Sequence, residues 1–177
     1  MEKSLKSRAV NYGLYLGLIL SAFTIVAYSI NIELLVNFWL VLLLLPLLVI
    51  LFGIISSIKS RSALGGFISF KQAFSSYFIT VAIGVIISTL VTVILFNFID
   101  PDAAITLKEI GLEKSRSFME SMGAPSSEID KALATANEQD TLGFKAQALS
   151  LAQGLVFYAV IGLIVGLIVK KKDPNAA

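Results

Sequence analysis

Gln147, Ser150 and Gln153 recur every third residue near the last apolar stretch, which on a helix makes a slowly drifting polar stripe. Thr92, Asn97 and Tyr158 are the other polar groups able to join them inside apolar segments. Together they admit two readings. Hydrogen bonding between helices is the commoner use of such groups; the wall of a small polar cavity is the more specific one. A second cluster, Gly65, Gly66, Ser69 and Lys71, sets adjacent glycines beside serine and lysine, a composition suited to holding an anion. The phosphate-loop spacing is absent, however, and a basic anchor for anionic lipid head groups is the simpler use. The acids between 100 and 145 do not follow the calcium-loop pattern.

The chain has 177 residues with neither histidine nor cysteine, which removes imidazole and thiolate chemistry, disulfides and the commonest metal ligands. Without them no nucleophile–base pair stands out. No catalytic residue, metal or cofactor is therefore expected, and no nucleic-acid partner; the expectation is a protein that is not an enzyme.

The composition, 56% hydrophobic and 15% charged, is explained by long runs without a charge. They predict spans over 9–31, 34–58, 73–99 and 146–169, with a loop over 100–145 between the third and fourth. Roughly 20 apolar residues at about 1.5 Å each cross a hydrocarbon core of about 30 Å, and each run is long enough. In lipid each must be helical, because nothing else there satisfies the backbone. The first run exceeds the apolar core of a cleaved signal peptide and is read as an uncleaved span. The expected fold is an all-α membrane protein of four transmembrane helices, forming a single membrane domain over 1–177.

Basic residues set its orientation. Lys3, Lys6 and Arg8 precede the first span, Lys59, Arg61 and Lys71 lie between the second and third, and Lys170, Lys171 and Lys172 follow the fourth. The positive-inside rule places these flanks, and both termini, in the cytoplasm. The 100–145 loop then faces outward; its five basic against nine acidic residues give a net charge of −4. Tyr28 and Trp39 are expected at the outer interface, Tyr12 and Tyr77 at the inner one.

Within the bundle, small residues four apart let backbones approach. Gly13, Gly17 and Ser21 in the first span, Gly84 and Ser88 in the third, and Gly154, Gly162 and Gly166 in the fourth are the expected packing positions. The second span is largely leucine and valine around Pro46, so it is expected to face lipid, with a kink at the proline. In the loop, Thr106-Leu107-Lys108-Glu109 reads as a capping box and Gly123-Ala124-Pro125 as a break, with Ser127 capping a second helix. The resulting hairpin would carry an apolar face of Ile110, Phe118, Met119, Met122, Ile129 and Leu133. That face either folds on itself or along the membrane, or docks a partner.

The entry to the third span, Gly65-Gly66-Phe67-Ile68-Ser69-Phe70-Lys71-Gln72-Ala73-Phe74, together with four spans, the helical loop and a glycine-rich last span ending in lysines, resembles the family catalogued as domain of unknown function 4199. The resemblance implies a bacterial protein of the cytoplasmic (inner) membrane and transfers no activity. Three functions follow as expectations. The first is a non-enzymatic bundle embedded in the lipid bilayer and presenting its acidic loop to a protein partner or its own oligomer. The second is a small oligomeric channel or transporter. The third, weaker, is an enzyme acting on lipid or envelope substrates.

Overall fold

The computed structural model describes residues 2–139 and 141–172; the side chain of Lys3 and all of Asp140, both counted in the charge pattern above, lie outside the described residues. Six α-helices follow one another: α1 (Glu2–Ile30), α2 (Leu45–Ala63), α3 (Phe70–Ile94), α4 (Pro101–Ser121), α5 (Ser126–Glu138) and α6 (Phe144–Val169). Four helical segments are long and apolar enough to cross a membrane: Ser4–Ile30, Leu40–Ala63, Phe70–Ile99 and Phe144–Val169. The remaining pair, α4 and α5, forms the hairpin expected between the third and fourth spans.

Helix α3 is the hub, packed against α1, α2 and α6. It runs parallel to α1, since Gly13 meets Ile83 and Gly17 meets Ile87. In return Gly84 receives Leu16. A β-carbon at any of these three glycines would lie 2.5–2.8 Å from its neighbour, closer than carbon atoms approach. Towards α6 the register is antiparallel, with Gly162 against Tyr77 and Gly166 against Phe70 and Phe74. Phe70, Phe74 and Phe78 stack in succession along that face.

The second span departs from expectation. The leucines expected to face lipid are exposed, Leu42, Leu43, Leu44, Leu47 and Leu51 among them. Its other face, Val49, Gly53, Ser56, Ser57 and Ser60, is fully buried. Gly53 lets the Tyr77 ring approach where a β-carbon would stand 2.5 Å from it. Tyr77 is thus held between Gly53 of α2 and Gly162 of α6, with no surface exposed, and does not serve as the interfacial aromatic its position in the run suggested. Beside it, Ser57 donates to the Ala73 carbonyl oxygen (2.9 Å). Thr80 donates to the Ala9 carbonyl oxygen (3.0 Å) and shares a 2.7 Å hydrogen bond with Ser56 Oγ, so one side chain ties α1, α2 and α3. Such bonds contribute about 0.6 kcal/mol each in lipid.

The start of this span also shifts. Residues Ile32–Val36 form a 3₁₀ turn, and Asn37 Oδ1 then accepts from the N–H groups of Trp39 and Leu40, starting a new helix inside the apolar run. A π-turn over Leu40–Leu44 precedes Pro46, which sits in the first turn of α2. The proline's missing N–H falls where the ladder has already changed from i→i−4 to i→i−5.

Local signals set the other boundaries. At the end of α2, Gly65 N–H reaches the Ser62 carbonyl and Gly66 N–H the Arg61 carbonyl, a Schellman stop with both glycines at positive φ. Helix α3 opens on a capping box: Ser69 Oγ accepts from Gln72 N–H while Gln72 Oε1 accepts from Ser69 N–H. Ile68 and Lys171 exchange both backbone hydrogen bonds at 2.9 Å, and Arg61 donates to the Val169 carbonyl oxygen. The basic end of the bundle is thereby closed across α2, α3 and α6.

Gly154 lies on the same helix as Gly162 but has nothing within 4 Å of where its β-carbon would be. Gly162→Val should lower unfolding stability by about 1–3 kcal/mol through overpacking on Tyr77. Gly154→Val should leave it unchanged; thermal melts in mild detergent followed by circular dichroism distinguish the two.

Candidate functional site: the α4–α5 hairpin and its seat

Asp100 begins the hairpin. Its Oδ1 accepts from Ala103 N–H (2.9 Å) and caps α4, while Pro101 takes the first helical position, where a missing N–H is harmless. Helix α4 therefore starts five residues before the expected Thr106 box, and Thr106 instead donates to the Asp102 carbonyl within the helix. The break at Gly123-Ala124-Pro125 is present: Gly123 has φ +76°, and its N–H and that of Ala124 reach back to Glu120 and Met119 in a second Schellman stop. Helix α5 starts at Ser126, after Pro125, with no side-chain cap from Ser127.

The hairpin is fastened to the bundle at several points. Tyr28, at the end of α1, donates its hydroxyl to Asp100 Oδ2 (2.6 Å). Asn97, within a π-turn over Leu95–Ile99, donates from Nδ2 to the carbonyl oxygens of Val93 (3.1 Å) and Leu142 (2.9 Å). Ala103 and Leu107 are buried with Leu95 and Phe96, a small apolar core that Tyr28, Ile32, Leu35 and Val36 complete. Lys114 reaches Glu33 at 2.9 Å, an exposed ion pair worth up to about 1 kcal/mol. Phe118 stacks on Phe38 at 5.2 Å.

Within the hairpin, α5 packs on α4 with Ile129 buried between them. Arg116 pairs with Asp130 at 2.9 Å, and Lys108 donates to the Asn137 carbonyl oxygen. Of the expected apolar face, then, Ile129 is consumed inside the hairpin and Ile110, Met119 and Leu133 are half-buried. Phe118 and Met122 remain exposed, Met122 by 73%.

The structure does not bring the polar stripe together. Thr92 donates to its own helix at the Ser88 carbonyl and faces a cavity of about 190 Å³ lined also by Leu20, Thr24, Ser88 and Phe96. No residue of α6 lines it. Gln147 donates to the Thr141 carbonyl, Ser150 and Gln153 are exposed on the amino-terminal half of α6, and Tyr158 packs half-buried against the main core. Gly13, Gly17, Gly84, Gly162 and Gly166 sit at close helix crossings; Ser21 is buried, and Gly154 is open. What sequence reasoning missed is the α2 ridge of Gly53, Ser56, Ser57 and Ser60, whose spacing of three and four was visible beyond the leucine run. Among the described residues no group of three or more Asp and Glu side chains is placed to hold a metal ion.

Residues 11–171 match the family described as "Protein of unknown function (DUF4199)". The chain belongs to that family. No curated protein and no solved structure matches it. For this DUF4199 protein the Ser69–Gln72 capping box gives the Phe-Lys-Gln-Ala-Phe entry a structural role, since it fixes where α3 begins.

The Tyr28 hydroxyl and the Ala103 N–H hold the Asp100 carboxyl below its usual value. A carboxylate whose folded value is depressed stabilises the fold above the unfolded value, about 3.9, and loses that contribution as pH falls through the lower folded value. A spin label on Ser117→Cys should accordingly report a hairpin that is immobile at pH 6 and loosens below about pH 4. Tyr28→Phe should loosen it already at pH 6 and flatten the pH dependence; an unchanged profile would remove Asp100 from the fastening.

Proposed function

We propose that this DUF4199 protein is a non-enzymatic multi-pass protein of the bacterial cytoplasmic membrane that holds the α4–α5 hairpin on the outer surface as a docking element. One observation carries the reading. The hairpin is fixed to the bundle by Tyr28–Asp100, Asn97–Leu142 and Lys114–Glu33, and still leaves Met122, half of Phe118 and an acidic surface uncovered. Order in a loop must offset conformational entropy of about 1–2 kcal/mol per residue, so a segment with no role in the bundle core is not expected to be so well tied. The basic end of the bundle, with Lys59, Lys71 and Lys170 exposed, favours cytoplasmic placement of both termini and hence an outward hairpin.

The occupant of the hairpin is a protein partner or a second copy of the chain. The second copy is favoured by the outer half of α6, where Ser150 and Gln153 are exposed at membrane depth. Lipid offers these groups no hydrogen bond, whereas a facing helix does. The channel reading would also need an oligomer built there, because a single four-helix bundle of this size has little room for a pore.

A photo-crosslinking residue at Met122 in growing cells should give an adduct of discrete mass, at twice the chain mass for self-association. The same residue at Val160, on the lipid face, should give none. Equal labelling at both positions, or no adduct at Met122, Glu113 and Glu128 alike, would end the docking reading.

A further inference from the structure

At the basic end, the amino-terminal turns of α1 and α3 enclose a cleft of about 300 Å³ lined by Leu5, Lys6, Ala9, Lys71, Gln72, Ser75, Ser76 and Ile79. Its polar side chains can all donate. Lys6 and Lys71 present ammonium groups, with no ion pair to a carboxylate among the described residues, and Ser75 presents a hydroxyl. Gln72 has its Oε1 taken by Ser69 N–H and so turns only its amide N–H₂ outward. Among the described residues no carboxylate lines the cleft. Because α1 and α3 are parallel, the positive ends of both helix dipoles fall at this same end and add to the lysines.

The lining also changes along the helix axis. Lys71, Gln72 and Ser75 lie nearer the mouth, and the half-buried Ile79 lies about 12 Å deeper than Lys71, at about 1.5 Å per residue. Donors above and hydrocarbon below match a molecule with an anionic head and an apolar tail. A soluble anion would use only the upper half.

We infer that this cleft is a binding site for the phosphate head group of an anionic phospholipid, held by Lys6, Lys71, Gln72 and Ser75, with the start of an acyl chain against Ile79. The site is independent of the hairpin, at the opposite end of the bundle.

The test uses the delipidated full chain in a nonionic detergent, with bound lipid counted by native mass spectrometry during titration. Phosphatidylglycerol should bind about tenfold or more tightly than phosphatidylcholine. The double variant Lys6→Gln/Lys71→Gln should weaken phosphatidylglycerol by about thirtyfold, the factor expected for two interfacial lysines. The control Lys59→Gln/Lys170→Gln, an equal charge change outside the cleft, should not weaken it more than about threefold. Gln72→Glu keeps the capping box, since glutamate serves at that position, but puts a carboxylate into the donor lining; it should lose the lipid with an unchanged circular dichroism spectrum. Equal binding of the two lipids, an equal loss in the control pair, or retention by Gln72→Glu would overturn the site. Displacement of the lipid by millimolar inorganic phosphate would show that the cleft takes a soluble anion instead.

Discussion

Tyr77 sits where three helices meet, and the bundle's spacing follows from what flanks it. Gly53 on α2 and Gly162 on α6 each leave room for one edge of the ring, and a single added carbon on either would overlap it. In water such a fit would be one contribution among many. In lipid it carries more, because burying leucine against leucine gains little over leucine against acyl chain. Close approach and interhelical hydrogen bonds must supply the cohesion. Glycines at 13, 17, 84, 53, 162 and 166 provide the first, and Ser56, Ser57 and Thr80 provide the second.

The two ends of the bundle are built on different principles. At the basic end the backbone itself is cross-linked, through the Ile68–Lys171 pair and the Arg61–Val169 bond, and two Schellman glycines make the tight turn that brings α3 beside α2. At the hairpin end, side chains do the fastening: Tyr28, Asn97 and Glu33 each reach a residue of the loop segment or its flank. Both π-turns, Leu40–Leu44 and Leu95–Ile99, fall towards this second end. There the helical ladder is adjusted to aim Pro46 and Asn97.

Charge is divided the same way. Described carboxylates gather on the hairpin and its seat, where several are paired with Lys114 and Arg116, while the cleft between α1 and α3 presents lysine, amide and hydroxyl groups and, among the described residues, no carboxylate. The two ends thus differ in chemistry, one acidic and held by side chains, the other donor-lined and held through the backbone.

The apolar runs of the sequence determined four spans and the alternation of their direction, because hydrocarbon permits no other backbone arrangement for such segments. Gly123 and Pro125 likewise marked the hairpin's turn, and the small-residue ridges of α1 and of the second half of α6 marked real crossings. Asn37, Asp100 and the serines of α2 were equally present in the sequence, but a hydropathy reading averages over a single cap and sees a leucine run where one face is serine. Only the tertiary structure decided which of two like glycines, 154 or 162, lies under a ring, and that Tyr77 turns inward. Only it scattered the polar stripe of Gln147, Ser150 and Gln153 away from Thr92. Those outcomes depend on helix rotation about its own axis, which is set by the shapes of neighbouring side chains and is carried by no single segment of the chain.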